Sequence, residues 1–249
     1  MPSQPKAPNA LLMLLEGRAP WELATMLAAN RWFNKMPAGD GHPVLVFPGF
    51  SAADFTTLPL RKFLRGRGYE PYTWEQGFNF GPRVGVLEGC QARAEEIFKK
   101  HQQPVSLVGW SLGGIYAREV AKLLPQQTRC VVTLGTPFGG HPRANNAWWL
   151  YEKVSGQKLD DDALMAQVRQ APDVPTTSIY SRSDGVVAWQ CSLNDEAPHT
   201  ENVRVNASHF GMGMNPLALY VLADRLAQKP GEWQRFSLGG KRKWFFKTT

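Results

Sequence analysis

The chain has 249 residues, 43% of them hydrophobic, which is enough to bury a real core in a single α/β domain carrying an insertion. No apolar run approaches the ~20 residues of a membrane-spanning helix; the run Ala10–Leu15 is followed at once by Glu16, Gly17 and Arg18. Lys and Arg outnumber Asp and Glu by 28 to 21, but apart from Lys241, Arg242, Lys243 and Lys247 the cations are spread along the chain, so the surplus reads as solvated surface and no nucleic-acid partner is expected.

Met1 to Asn9 holds one Lys and three Pro where a secretion signal needs an apolar stretch of about 7 to 15 residues, so cytoplasmic residence is the expectation. Residues 1–40 mix helix formers with aromatics and predict two helices, broken at Gly17–Pro20 and packed on the body. Pro43–Phe47 is a buried strand ending in Pro48-Gly49-Phe50-Ser51, after which Asp54 is placed to cap a helix toward Gly66. Tyr69–Trp74 is strand-like, Gly77–Arg83 is a loop and Leu87–His101 is helical. Val105–Val108 (strand), Gly113–Leu124 (helix) and Cys130–Leu134 (strand) follow. Between Gly139 and Pro175 the alternation stops, and a helical insert with Trp148, Trp149, Leu150 and Tyr151 is placed to form a cap, residues 139–175, over the C-terminal sheet edge. Thr176–Tyr180 and Asn202–Val205 are the last strands and Pro216–Leu226 the last helix. Strands alternating with helices give the fold class α/β, a mostly parallel sheet covered on both faces in one domain, 1–249.

The most informative stretch is Val105-Ser-Leu-Val-Gly-Trp-Ser-Leu-Gly-Gly114, a G-x-S-x-G set between an apolar strand and a helix. Such a turn lifts the Ser111 hydroxyl above the sheet, and Gly109 and Gly113 lack the side chains that would collide across the bend. The helix beyond directs free N–H groups and its positive dipole end toward developing negative charge.

From Pro43 to about Leu226 the chain resembles the α/β-hydrolase family, its bacterial esterases and lipases in particular. The resemblance implies an order of nucleophile, acid and histidine along the chain. His42 and His101 precede Ser111, His141 follows too closely, and His199 lies in an acidic loop before the last strand, which leaves His209. In similar enzymes the loop after the penultimate strand carries the acid, here Asp184 in Ser181-Arg-Ser-Asp-Gly-Val-Val187, with Asp195 as main rival and Glu196 behind it. The resemblance also implies an oxyanion hole formed by the backbone N–H groups of Leu112 and Phe50, although Pro48-Gly49 stands where related lipases carry His-Gly.

With these residues in place, the resemblance implies serine-dependent cleavage of a carboxylic ester through an acyl-enzyme, with acyl transfer to another acceptor as the alternative and a noncatalytic binding protein behind it. A small ester or lipid-like substrate is expected. Trp110, Phe138, Trp148 and Trp149 are the candidate lining of an apolar pocket. No metal and no cofactor are expected: H-E-x-x-H and the nucleotide-binding glycine motifs are missing, and Cys90, Cys130 and Cys191 have neither disulfide nor zinc spacing.

Overall fold

All five residues of the run Pro43–Phe47 (β1) are buried, as expected of a parallel strand covered on both faces. Alternate side chains serve opposite faces. Val44 and Val46 pack with Leu60, Phe63 and Leu222, whereas Leu45 and Phe47 pack with Ile97, Tyr116 and Val120. Each such side chain taken out of water stabilises the fold by about 1.5–3 kcal/mol. The computed structural model describes residues 5–140, 144–146 and 162–248.

The other strands are β2 (Glu70–Thr73), β3 (Val105–Trp110), β4 (Thr128–Leu134), β5 (Thr176–Ser181), β6 (Thr200–Val205) and β7 (Lys247–Thr248). They form one seven-stranded sheet in the order β2-β1-β3-β4-β5-β6-β7. Among the described residues these strands pair in parallel, except β6 with β7. The chain runs outward from β1 to β2 and then returns to the other side of β1 as β3. The crevice beyond the carboxyl ends of β1 and β3 is therefore the topological switch point, where open α/β sheets place their ligands.

The N-terminal segment folds as α1 (Ala10–Leu14), a 3-10 turn over Leu15–Arg18, α2 (Ala19–Ala28) and the short α3 (Asn30–Phe33). Its Met26 and Phe33 share a core with α4 (Leu58–Gly66) and the last helix, while α5 (Val86–His101) and α6 (Gly113–Leu123) cover the opposite face. In the insert, α7 (Asp162–Arg169) lies beside α6, with Arg118 Nη2 donating to the Arg169 carbonyl at 2.8 Å. Ala144 packs with Val186 and Cys191. Trp148, Trp149, Leu150 and Tyr151 lie outside the described residues. The last helix, α8 (Pro216–Leu226), begins on Asn215, whose side chain accepts from the N–H groups of Leu217 and Ala218, with proline in the first turn, a strong start signal.

Asp54 does not cap α4. A 3-10 turn over Asp54–Thr57 precedes that helix, and the Asp54 carboxylate instead accepts the Trp74 N–H at 3.1 Å, tying the turn after β1 to the end of β2.

Candidate active site

Ser111 follows β3 in a left-handed conformation, φ +52°, which costs a non-glycine residue about 1–3 kcal/mol and persists only where its surroundings enforce it. The enforcement is visible: the Ser111 N–H bonds the Leu134 carbonyl at 2.8 Å, and the Ser111 carbonyl accepts from Gly114 at 3.0 Å. A Cβ on Gly109 would stand 2.2 Å from the Gly114 Cα, and one on Gly113 would stand 2.4 Å from the Phe47 carbonyl oxygen. The glycines expected at this bend are thus required by contact with backbone.

His209 arrives from the loop after β6, and its Nε2 lies 2.9 Å from Ser111 Oγ. Asp184, in the loop after β5, places Oδ2 2.7 Å from His209 Nδ1. Its other oxygen accepts the N–H groups of Val186 at 2.8 Å and Val187 at 2.7 Å, so the carboxylate is held from behind while one oxygen faces the imidazole. Asp184 is 4% exposed and His209 3%. Burial pulls the His209 pKa down, but the charge and hydrogen bond of Asp184, joined by the charge of Glu16, raise it overall above the ordinary histidine value. The set can move a proton from Ser111 onto His209 and stabilise the resulting imidazolium.

The rival acids lie elsewhere. Asp195 pairs with Arg169 at 2.6 and 2.9 Å on the surface, and Glu196 is exposed, facing Arg235 at 3.7 Å. A second Asp-His-Ser chain does exist, with His42 2.5 Å from Asp40 and 2.8 Å from Ser106. It sits at the amino ends of β1 and β3 with His42 and Ser106 fully buried, so no substrate reaches it.

Leu112 precedes the first turn of α6, where helix geometry leaves its N–H without an intrahelical acceptor. The turn after β1 that carries Phe50 lies against the Ser111 turn, since a Cβ on Gly49 would be 3.3 Å from that of Ser111. Buried Asn79 braces this turn: its Nδ2 donates to the Pro48 carbonyl at 2.8 Å, its carbonyl accepts from Ser51 at 2.7 Å and its N–H bonds Ala52 at 2.8 Å. Trp110 and Phe138 each make a defined contact. The Trp110 indole N–H donates to the His209 carbonyl at 3.0 Å, while Phe138 is 2% exposed with the Arg118 guanidinium 3.8 Å over its ring.

No protein-family model matches this chain, and no curated protein matches it. Solved structures do. Aspergillus fumigatus lipase B is 17% identical, with a TM-score of 0.61 over 80% of this chain and 56% of that one. Bacillus licheniformis lipase BlEst2 in mature form is 18% identical, with a TM-score of 0.59 over 77% and 94%. An alpha/beta superfamily hydrolase from Oenococcus oeni PSU-1 is 18% identical, with a TM-score of 0.55 over 75% and 91%. The chain has the α/β-hydrolase fold. It spans little more than half the length of the fungal lipase.

Within the α/β-hydrolase fold, the elbow, acid and histidine loops are ordinary places to look for chemistry. The N-terminal segment is not, and sequence reading passed over its Glu16, Arg18 and Glu22, which contact the acid and histidine loops directly. One signal was available: Glu22 shares the buried side of α2 with Met26, four residues on and so on the same helix face.

Proposed function

We propose that this chain is a serine-dependent carboxylic ester hydrolase working through an acyl-enzyme. The observation that carries the reading is the continuous hydrogen-bonded series Ser111–His209–Asp184, at 2.9 and 2.7 Å, set at the switch point of the sheet. Ser111 Oγ attacks the ester carbonyl as His209 takes its proton; His209 then protonates the leaving alcohol, and water repeats the sequence on the acyl-enzyme. The N–H groups of Leu112 and Phe50 receive the oxyanion.

Exposed Phe55 and Phe78, near the Phe50 turn, and exposed Phe210, whose ring meets that of His209 at 5.9 Å, favour an apolar acyl or alcohol group. Two of the structural neighbours are named as lipases, which supports the same substrate class. The deciding experiment is an ester panel of graded acyl length on wild type and Ser111→Ala, with fluorophosphonate labelling alongside. Turnover and labelling that both require Ser111 support the reading; wild type that neither turns over esters nor takes the label ends it.

The raised His209 pKa fixes the sign of the pH dependence. Imidazolium cannot accept the Ser111 proton, so kcat/KM is expected to rise with pH through an ionisation above the ordinary histidine value and to fall on acidification. A rate constant between about pH 5 and 8, with chemistry limiting, would exclude a histidine base.

Asn79→Ala tests the brace on the oxyanion turn. Loss of its bond to the Pro48 carbonyl leaves a buried acceptor unsatisfied, at about 1–3 kcal/mol of stability. Turnover is expected to fall more than substrate affinity, read from thermal unfolding and steady-state kinetics on one preparation. An unchanged kcat would mean that the turn keeps its shape without Asn79.

A further inference from the structure

Pairing of β5 with β6 ends at Ser181 opposite Val205, short of both Asp184 and His209. Beyond that point the strand ladder no longer sets the separation of the two loops. Ser181 Oγ accepts the Ala207 N–H and Ser183 Oγ donates to the Ala207 carbonyl, each at 3.2 Å. Further ties come from the N-terminal segment. Glu16 Oε1 accepts the N–H of Gly185 at 2.7 Å and of His209 at 2.9 Å, while Oε2 accepts that of Phe210 at 3.0 Å. Three charge-assisted bonds from two loops thus converge on one carboxylate that is 5% exposed. Arg18 donates to the carbonyl and hydroxyl of Ser183, both at 2.8 Å. Glu22 holds the histidine loop one residue earlier, accepting the Ser208 N–H at 3.0 Å, the Ser208 hydroxyl, and the Asn215 amide at 2.8 Å.

We propose that Glu16 is a positioning residue: its carboxylate clamps the Asp184 loop to the His209 loop and so sets the distance and orientation of the Asp184–His209 pair. The kinetic consequence rests on the hydrolase reading above; the clamp rests on the hydrogen bonds alone. Glu16 also has an electrostatic effect. The groups that face His209 are Asp184 from the β5 loop, Ser111 from the elbow, Glu16 from the N-terminal segment and, behind Ser208, Glu22 from α2. The Glu16 charge favours the imidazolium.

Glu16→Gln keeps the size but removes the charge, and it turns an amide NH2 toward backbone N–H groups. Misplacing reacting groups by about 1 Å costs on the order of a hundredfold in rate, so kcat is expected to fall by about that factor with KM little changed. The His209 ring, followed by NMR across pH, is expected to titrate lower than in wild type, and the acidic limb of kcat/KM should move down with it. Glu16→Asp keeps the charge but shortens the reach, so the His209 titration should stay near that of wild type while kcat drops. Wild-type kcat in folded Glu16→Gln or in folded Glu16→Asp overturns the proposal; a shifted titration or a loss of thermal stability alone does not rescue it.

If neither variant folds, hydrogen exchange in wild type decides. The amides of Gly185, His209 and Phe210 are expected to be protected, and exchange at the rate of exposed amides overturns the clamp. The two readings fail separately. Wild type that neither turns over esters nor takes the fluorophosphonate label ends the hydrolase reading while titration and exchange still test the clamp, whereas Ser111-dependent turnover matched by Glu16→Gln ends the clamp alone.

Discussion

Ser111→Ala and His209→Ala are each expected to lower kcat for ester hydrolysis on the order of a millionfold, with the double variant little worse than either, because members of such a set act as a unit. The fold should survive the serine change. Ser111 Oγ has His209 Nε2 as its partner at 2.9 Å, and the elbow is held by backbone bonds from Ser111 to Leu134 and from Gly114 to Ser111, none of which involves the hydroxyl. His209→Ala removes a ring from a buried site, so its thermal midpoint should drop more than that of Ser111→Ala. What rate remains should come from the Leu112 and Phe50 donors and from substrate binding, about a thousandfold or more above water. Ester turnover measured beside circular dichroism and unfolding curves separates chemistry from stability. Substantial turnover by folded Ser111→Ala would remove Ser111 from the mechanism and the acyl-enzyme with it.

The sheet was legible because strands covered on both faces are mostly apolar runs; Pro43–Phe47 is continuous and Val105–Val108 is broken only by Ser106. The elbow was legible because its glycines are required by contacts only a few residues away in sequence or across one strand pair. Strand β7 was not. Its two residues, Lys247 and Thr248, are exposed and polar, and what fixes them is the burial of neighbouring Phe246 against Tyr220 and Phe236. The basic cluster near the end of the chain, the exception to the even spread of cations, is partly committed to the fold, since Arg242 pairs with Asp224 at 3.1 Å and lies 5.3 Å from the Tyr220 ring centre. Glu16 and Glu22 escaped for another reason. Their partners are mainly backbone N–H groups, which carry no side-chain signature, and they lie 169 to 194 residues away. Asn79 is hidden in the same way, because its bonds run to the backbone of Pro48, Ser51 and Ala52.

Asp184→Asn is expected to lower kcat about ten-thousandfold while leaving the fold intact, and the structure supplies the atomic reason. Asp184 Oδ1 accepts two backbone N–H groups, from Val186 and Val187. An asparagine carbonyl oxygen must take that position, because an NH2 there would face two donors. The NH2 group is then left where Oδ2 now meets His209 Nδ1. It can only donate, so Nδ1 must become the acceptor and the ring proton must move to Nε2, which faces Ser111 and can no longer take its proton. A defect of tautomer differs from a defect of ionisation in how it responds to pH. Removing the Asp184 charge lowers the His209 pKa, which leaves more of the ring neutral at any given pH, so protonation cannot account for the loss, whereas the tautomeric loss persists above the histidine ionisation. Asp195→Asn is the control. Its surface pair with Arg169 is worth roughly 0–1 kcal/mol, and kcat should stay near wild type. If Asp195→Asn were crippling and Asp184→Asn active across the pH profile, the acid would have been assigned to the wrong loop, and the clamp on the Asp184 loop would lose its kinetic meaning.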